Sequence, residues 1–169
     1  MLITTSRYCP KETRELSKAF AIVFSGAYVA RGKKTIDELV EFARKKGHSR
    51  ICVLMSGNFG VIPNKSETIS MEFISVNELG RWSWIDSVIC IIKHSFSSSG
   101  LCACSAIEGG DSKLLSELLD FEENEKAEGN AFAGNGKISF SNDSANGALA
   151  GGAFLDLEVK YESRVQDTH

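Results

Sequence analysis

Hydrophobic residues change their spacing several times within the first 56 positions, which predicts alternating strands and helices. Residues 2–5 are a short, partly β-branched run that predicts a strand. From Pro10 to about residue 24, apolar side chains recur at helical spacing, and a second strand is predicted over residues 27–30. Residues 50–55 form a continuous apolar run, which is typical of a strand buried on both faces.

The helix between the second and third strands is predicted from its capping residues. Thr35 and Glu38 have the spacing of a capping box, in which each side chain bonds the backbone amide of the other residue. Gly47 is a natural residue for the end of this helix. An apolar stripe runs along it, formed by Ile36, Leu39, Val40 and Ala43. The resulting β-α-β-α-β order predicts an α/β fold with a sheet covered by helices.

The remainder of the chain has a weaker pattern. Strands are predicted over residues 59–62, 69–76, 87–92 and 154–161, with a hairpin turn at 64–66 and a helix over 112–123. Residues 122–152 are rich in Glu, Asn, Gly, Ala and Ser, and only Ile138 and Phe140 indicate a strand there. This segment is therefore predicted to be a loop-rich or partly disordered insertion.

Charge divides the chain into two unequal parts. Its 169 residues suit one domain, and its net charge is −3. Residues 1–50 nevertheless hold eleven of its 19 Lys and Arg and only five of its 22 Asp and Glu. Because phosphate attraction is local, a basic face can work on an acidic protein. The N-terminal part is therefore predicted to face a polyanion.

Cysteine usage and the apolar runs indicate the compartment. The five cysteines are an odd, scattered set, which favours a reduced, cytoplasmic protein. The start of the chain lacks the pattern of a signal peptide. The longest wholly apolar run, residues 88–92, is far too short to span a bilayer, so no membrane partner is expected.

Several stretches of the chain together form a recognisable pattern. The more specific stretches are Met1-Leu2-Ile3-Thr4-Thr5-Ser6-Arg7, Thr13-Arg14 and Arg31-Gly32-Lys33-Lys34-Thr35-Ile36-Asp37-Glu38-Leu39. Weaker support comes from residues 50–55, 57–58, 100–102 and 154–159. In these stretches the chain resembles the archaeal single-domain members of the Brix family.

The resemblance implies both a fold and a function. The expected fold is a single Brix domain over residues 1–169, built of two similar α/β halves around β-sheet, about 1–78 and 79–162. This arrangement resembles the anticodon-binding domain of class II aminoacyl-tRNA synthetases. The implied function is ribosome biogenesis, through binding of rRNA or pre-rRNA and of ribosomal or assembly proteins during rRNA processing or subunit assembly, without catalysis.

Basic residues at the ends of the predicted strands and on the first helix are the candidate RNA-binding set. Such residues hold phosphates and position RNA without reading its sequence, and a glycine lets the backbone approach a phosphate closely. The alternative is a solvated helix face, which is at least as good an interpretation for residues 44–46 at a helix end. The candidates are Arg7, Lys11, Arg14, Lys18, Arg31, Gly32, Lys33, Lys34 and Arg50.

Other motifs are weaker. Cys102 and Cys104 with His94 do not have the usual zinc spacing, so no metal is expected. Residues 57–60 lack the Lys-Ser/Thr of a phosphate-binding loop, so no cofactor or small-molecule substrate is expected. Trp82 and Trp84 share one face of a strand, where packing in the core is favoured over stacking on bases.

Two functional hypotheses from different classes follow. The first is a non-enzymatic, rRNA-binding assembly factor that uses the basic N-terminal part. The second is a protein–protein scaffold of ribonucleoprotein assembly, in which the acidic C-terminal half is the working surface. An enzyme has little support, because no cluster of His, carboxylate and Lys residues is evident.

Overall fold

Nine strands of the described residues join into one sheet, and three helices pack against it. The computed structural model describes residues 1–56, 68–97, 100–142 and 154–163. In chain order the elements are β1 (Leu2–Thr5), α1 (Lys11–Val23), β2 (Ala27–Tyr28), α2 (Ile36–Lys45), β3 (Arg50–Ser56), β4 (Ile69–Val76), β5 (Trp82–Phe96), β6 (Cys104–Glu108), α3 (Ser112–Leu119), β7 (Gly129–Gly134), β8 (Lys137–Ser141) and β9 (Phe154–Ser163).

The sheet is parallel at its two ends and antiparallel in its centre. Its strand order is β2-β1-β3-β4-β5-β9-β8-β7-β6. At one end β1 pairs in parallel with both β2 and β3, and at the other β6 pairs in parallel with β7. A helix crosses over between the strands of each outer parallel pair, α1 from β1 to β2 and α3 from β6 to β7. The mixed α/β class predicted from the sequence is confirmed.

Strand β5 joins the two halves of the sheet. It has 15 residues, whereas only residues 87–92 were predicted to be a strand. Residues 82–91 pair with β4 and residues 87–96 pair with β9, so that the two pairings overlap on its central residues. A strand that pairs on both edges needs an apolar centre, which residues 88–91 provide because all four side chains are buried.

Helices α1 and α2 cover opposite faces of the first half. Leu16 and Phe20 of α1 pack in a core with Ile3 of β1, whereas Leu39 of α2 packs with Leu2 on the other face. Neighbouring residues of a strand point to opposite faces, so β1 contributes to both cores. The predicted capping box is present: Glu38 N donates to Thr35 Oγ1 at 3.2 Å, and Thr35 N donates to a Glu38 carboxylate oxygen at 2.7 Å.

The second half contains more sheet than the sequence indicated. Helix α3 ends at Leu119, four residues before the predicted end. Residues 129–141, in the segment predicted to be loop-rich, form the antiparallel hairpin β7–β8. The strand indicated by Ile138 and Phe140 is present as β8, whereas β7 is not evident from the sequence, because Ala131 and Ala133 fill its core positions with little hydrophobicity. The predicted strand at 59–62 and turn at 64–66 lie outside the described residues.

Candidate nucleic-acid interface

Strands β2, β1 and β3 run in parallel, so their carboxyl ends lie side by side. The border of the sheet formed by these strand ends is called this edge of the sheet below. Two contacts hold the chain where it leaves the strands: Ser6 N donates to Leu54 O, and Val29 N donates to Ile3 O, both at 2.8 Å. Thr4 Oγ1 adds a bond to Val29 O at 2.8 Å. Ligands of parallel sheets commonly bind at this edge.

A cavity of about 290 Å³ opens at this edge of the sheet. Its walls combine apolar side chains from β3 and α2 with two aromatic and two basic side chains. Of the two aromatic side chains in the lining, Tyr8 is the more exposed, with 92% of its surface accessible. The lining residues are Ser6, Arg7, Tyr8, Arg31, Ile36, Val53, Met55 and Trp84.

Arg7 and Arg31, which are both positively charged, line the cavity and form what is called its rim. Burial lowers the pKa of Arg31, the positive charge of Arg7 lowers it further, and Glu38 partly offsets both effects. Within the described part of the chain neither guanidinium forms an ion pair with a carboxylate. Nε of Arg31 is also buried, and no atom of the described residues accepts a hydrogen bond from it. Two unpaired cations at one rim make a site for an anion.

The turn from Arg31 to Lys34 extends this positive surface. Lys34 N donates to Arg31 O at 3.0 Å, which closes the turn. Gly32 has a φ of +51°, and no described atom lies within 4 Å of where a β-carbon would stand, so a ligand backbone can approach it closely. The side chains of Lys33 and Lys34 are exposed. This turn leads directly into the capping box of α2, which fixes its orientation.

Helix α1 begins at the same edge and runs away from it. Lys11, in its first turn, and Arg14 are exposed. Lys18 lies further along the helix, where it pairs with Glu15 at 2.9 Å and lies 5.9 Å from the ring centre of Tyr28. The structure therefore brings Lys11 close to the turn after β1, whereas Lys18 already has partners within the protein.

Arg50 lies at the opposite end of β3, away from the cavity. One of its Nη atoms donates to Glu117 O, near the end of α3, at 3.2 Å. Burial lowers the pKa of Arg50, and nearby Asp120 partly offsets the effect. The nine predicted residues thus do not form one cluster: eight lie on or around the first two β–α connections and α1, and Arg50 contacts the second half.

The two tryptophans have different environments. Trp82 is 37% exposed, and its Nε1 donates to Asp37 Oδ1 at 2.9 Å. Trp84 is half-buried, contacts the core under α2 and also lines the cavity. The two rings meet edge to face with their centres 6.3 Å apart. Packing and ligand contact are therefore both available to Trp84.

The cysteine and histidine candidates do not come together. Cys104 is buried, and this burial raises the pKa of its thiol to about 12. His94 Nε2 instead faces a carboxylate oxygen of Glu12 at 3.1 Å. No group of three or more His, Cys, Asp or Glu side chains suited to a metal ion occurs among the residues that the structure describes.

The apolar part of the site is not evident from the sequence. The signal for Tyr8 is its position directly after a candidate arginine in a loop. Ile36, Val53 and Met55 were assigned to a helix stripe and a strand, because the sequence pattern does not distinguish a cavity wall from a core. Among the described helices, none is long and apolar enough to cross a membrane.

Comparison with known proteins identifies the fold. No protein-family model and no curated protein matches the chain. Among solved structures, a probable ribosomal biogenesis protein from Aeropyrum pernix K1 is similar with a TM-score of 0.63 and 17% identity, over 93% of this chain and 94% of that chain. Mil, an archaeal Imp4-like protein, is similar with a TM-score of 0.63 and 18% identity, over 96% of this chain and 99% of that chain.

These likenesses span nearly the whole of each protein. They show that this chain has the fold shared by the probable ribosomal biogenesis protein and the Imp4-like protein. At the level of the fold, these structures agree with the resemblance drawn from the sequence. At 17% and 18% identity, the comparisons establish shared architecture.

Proposed function

We propose that the protein is a non-catalytic ribosome biogenesis factor that binds rRNA or pre-rRNA and works in the cytoplasm with ribosomal or assembly proteins. The names of both similar structures, a ribosomal biogenesis protein and an Imp4-like protein, support this role. The proposal keeps residues 1–169 as a single domain of two halves and retains the likeness to the synthetase anticodon-binding domain as a prediction.

The observation that carries the proposal is the unpaired Arg7–Arg31 rim at the carboxyl ends of the parallel strands. Each guanidinium has five donors, and neither is engaged by a carboxylate of the described residues. A phosphate oxygen would relieve the repulsion between the two cations and give donors of Arg31 a partner. The exposed side chains of Lys33, Lys34 and Lys11, in the same two strand-to-helix connections, extend the basic surface for further phosphates.

The test reverses charge at the rim and compares it with an equal change elsewhere. The variant Arg7→Glu with Lys33→Glu removes two cations from the exposed surface, and Lys113→Glu with Lys126→Glu makes the same change in the second half. We expect the first variant to weaken binding to precursor rRNA and to lower the slope of log affinity against log salt by about 1–2. The second variant serves as the charge control.

Both variants should unfold at the denaturant concentration of the parent within experimental error, because the changed side chains are exposed. Equal binding by the parent and the rim variant, or binding that is insensitive to salt, contradicts the proposal. Crosslinking in cells adds the RNA identity, with crosslinks expected in residues 7–34.

A scaffold function is the second candidate, and one feature favours it. At the opposite end of the sheet from the rim, a polar cavity of about 500 Å³ is lined by Asp120, Glu122 and Glu123. The C-terminal ends of α1, α2 and α3 also reach it, and helix C-termini carry partial negative charge. Glu122→Lys with Glu123→Lys should then release basic ribosomal proteins and leave rRNA binding intact. Purified protein free of nucleic acid, judged by its ultraviolet absorbance ratio, would favour this candidate.

A further inference from the structure

The walls of the rim cavity are apolar and aromatic, whereas its rim is basic. Ile36, Val53 and Met55 offer apolar surface, and Trp84 offers an aromatic ring. Tyr8, at 92% exposure, leaves its ring in water beside the opening. A tyrosine normally buries most of its ring, so one held in solvent next to an apolar cavity is suited to cover a flat ligand.

The rim of the cavity, by contrast, is suited to an anion. The guanidiniums of Arg7 and Arg31 line the same cavity, and Nε of Arg31 is buried without an acceptor among the residues that the structure describes. The ligand must therefore be flat and largely apolar at one end and negatively charged at the other. A nucleotide has this combination, since every base has a π-face and each sugar is linked to phosphate.

The cavity can accept only an unpaired base. A base within a duplex is stacked on both faces and cannot enter a cavity, whereas an unpaired base can turn out of the strand and stack on aromatic side chains. The cations of Lys33, Lys34 and Lys11 lie beyond the cavity, where a free mononucleotide has no phosphate to place and a longer strand does.

We propose that this cavity holds one unpaired base of an RNA strand, covered by Tyr8 and packed against Trp84, with the adjacent phosphates on Arg7 and Arg31. This inference rests on the proposed rRNA-binding function and specifies its ligand. It assigns specificity for single-stranded over duplex RNA to side chains that carry no charge.

The experiment uses a nine-nucleotide single-stranded RNA of mixed sequence and a hairpin duplex of the same phosphate number. We expect Tyr8→Ala to weaken binding of the single strand about tenfold and Tyr8→Phe, which keeps the ring, to remain within about twofold of the parent. Both variants should bind the duplex like the parent. Because Tyr8 is exposed, neither substitution removes buried contacts, so folding is preserved.

A second readout reports from inside the cavity. The single strand should quench tryptophan fluorescence of the parent, and a Trp84→Phe variant should lose most of this quenching. A strand with an abasic site at the bound position should quench the parent less. Fluorescence that is unchanged by a strand that binds overturns the assignment of the cavity.

The outcomes separate the two proposals. If the rim charge reversal weakens RNA binding but Tyr8→Ala does not, the base site is wrong and the proposed function stands. If no RNA binds to the parent, both fail. A nucleoside monophosphate that binds as tightly as the nine-nucleotide strand overturns the assignment to an RNA strand.

Discussion

Trp82 donates its indole Nε1 hydrogen to Oδ1 of Asp37 at 2.9 Å, which ties strand β5 to the first turn of α2. Because Ile36, the neighbour of Asp37, lines the rim cavity, this bond also holds one wall of the candidate site. The sequence places the two residues 45 positions apart.

Removal of this acceptor should lower the stability of the protein. We expect Asp37→Ala to lower the free energy of unfolding by about 1 kcal/mol, measured by urea denaturation. Asp37→Asn keeps an acceptor oxygen and should lose less. Equal stability of the parent and the alanine variant would show that the bond contributes nothing measurable.

Arg50 should act in stability rather than in RNA binding. Its guanidinium joins β3 to the last turn of α3 through Glu117 O, and Ser49 Oγ donates to the carboxylate of Asp120 beside it. We expect Arg50→Gln to lower the free energy of unfolding by about 1–2 kcal/mol and to leave rRNA affinity unchanged. Lys46→Gln, at an exposed position nearby, is the control. Weaker rRNA binding by a stable Arg50→Gln protein would show that Arg50 does contribute to RNA binding.

Gly109 and Gly110 offer a matched pair between β6 and α3. Gly109 has a φ of +103°, and a β-carbon there would collide with the carbonyl oxygen of Ala133. At Gly110, no atom of the described segments lies within 4 Å of such a carbon. We therefore expect Gly109→Ala to cost about 2 kcal/mol of unfolding free energy and Gly110→Ala less than about 1 kcal/mol, measured by chemical denaturation. Similar losses for both variants would contradict the predicted collision.

The five thiols should fall into two classes of reactivity. Burial raises the pKa of Cys90 to about 11 and that of Cys104 to about 12, and it also raises the pKa of Cys52. Cys9 and Cys102 are only partly buried. Since the thiolate is the reactive form, a disulfide reagent at pH 8 should modify these two first and the other three only after unfolding.

A Cys9→Ser, Cys102→Ser variant tests this assignment directly. It should lose the fast phase of labelling and keep the slow one. Fast labelling that persists in this variant would show that a core thiol is accessible in the native state.

Local signals in the sequence predicted the elements well where they were strong. The capping box of Thr35 and Glu38 fixed the start of α2, and β4 has the predicted bounds of Ile69 and Val76. Weak signals failed in β7, where the buried positions hold only glycine and alanine and the stabilising contacts come from the strand beside it. A pattern that depends on a partner strand cannot be recognised from its own residues.

The candidate site was only half predictable for a similar reason. Arg7 and Arg31 could be proposed because loops at strand ends commonly bind ligands. That the two share one rim depends on the parallel pairing of β1 with β2, which brings residues 24 positions apart together. The apolar wall formed by Val53, Met55 and Trp84 depends on pairing of β3 through β4 to β5.

By itself, the sequence determined the helices, most strands, the α/β class and the basic character of the N-terminal part, because hydrophobic period, capping and charge act between near neighbours in the chain. Tertiary structure alone decided that β5 joins the two halves, that Arg50 contacts α3, and that two arginines and two aromatic rings enclose one cavity. These relationships arise from pairing and packing between distant segments, which no local pattern specifies.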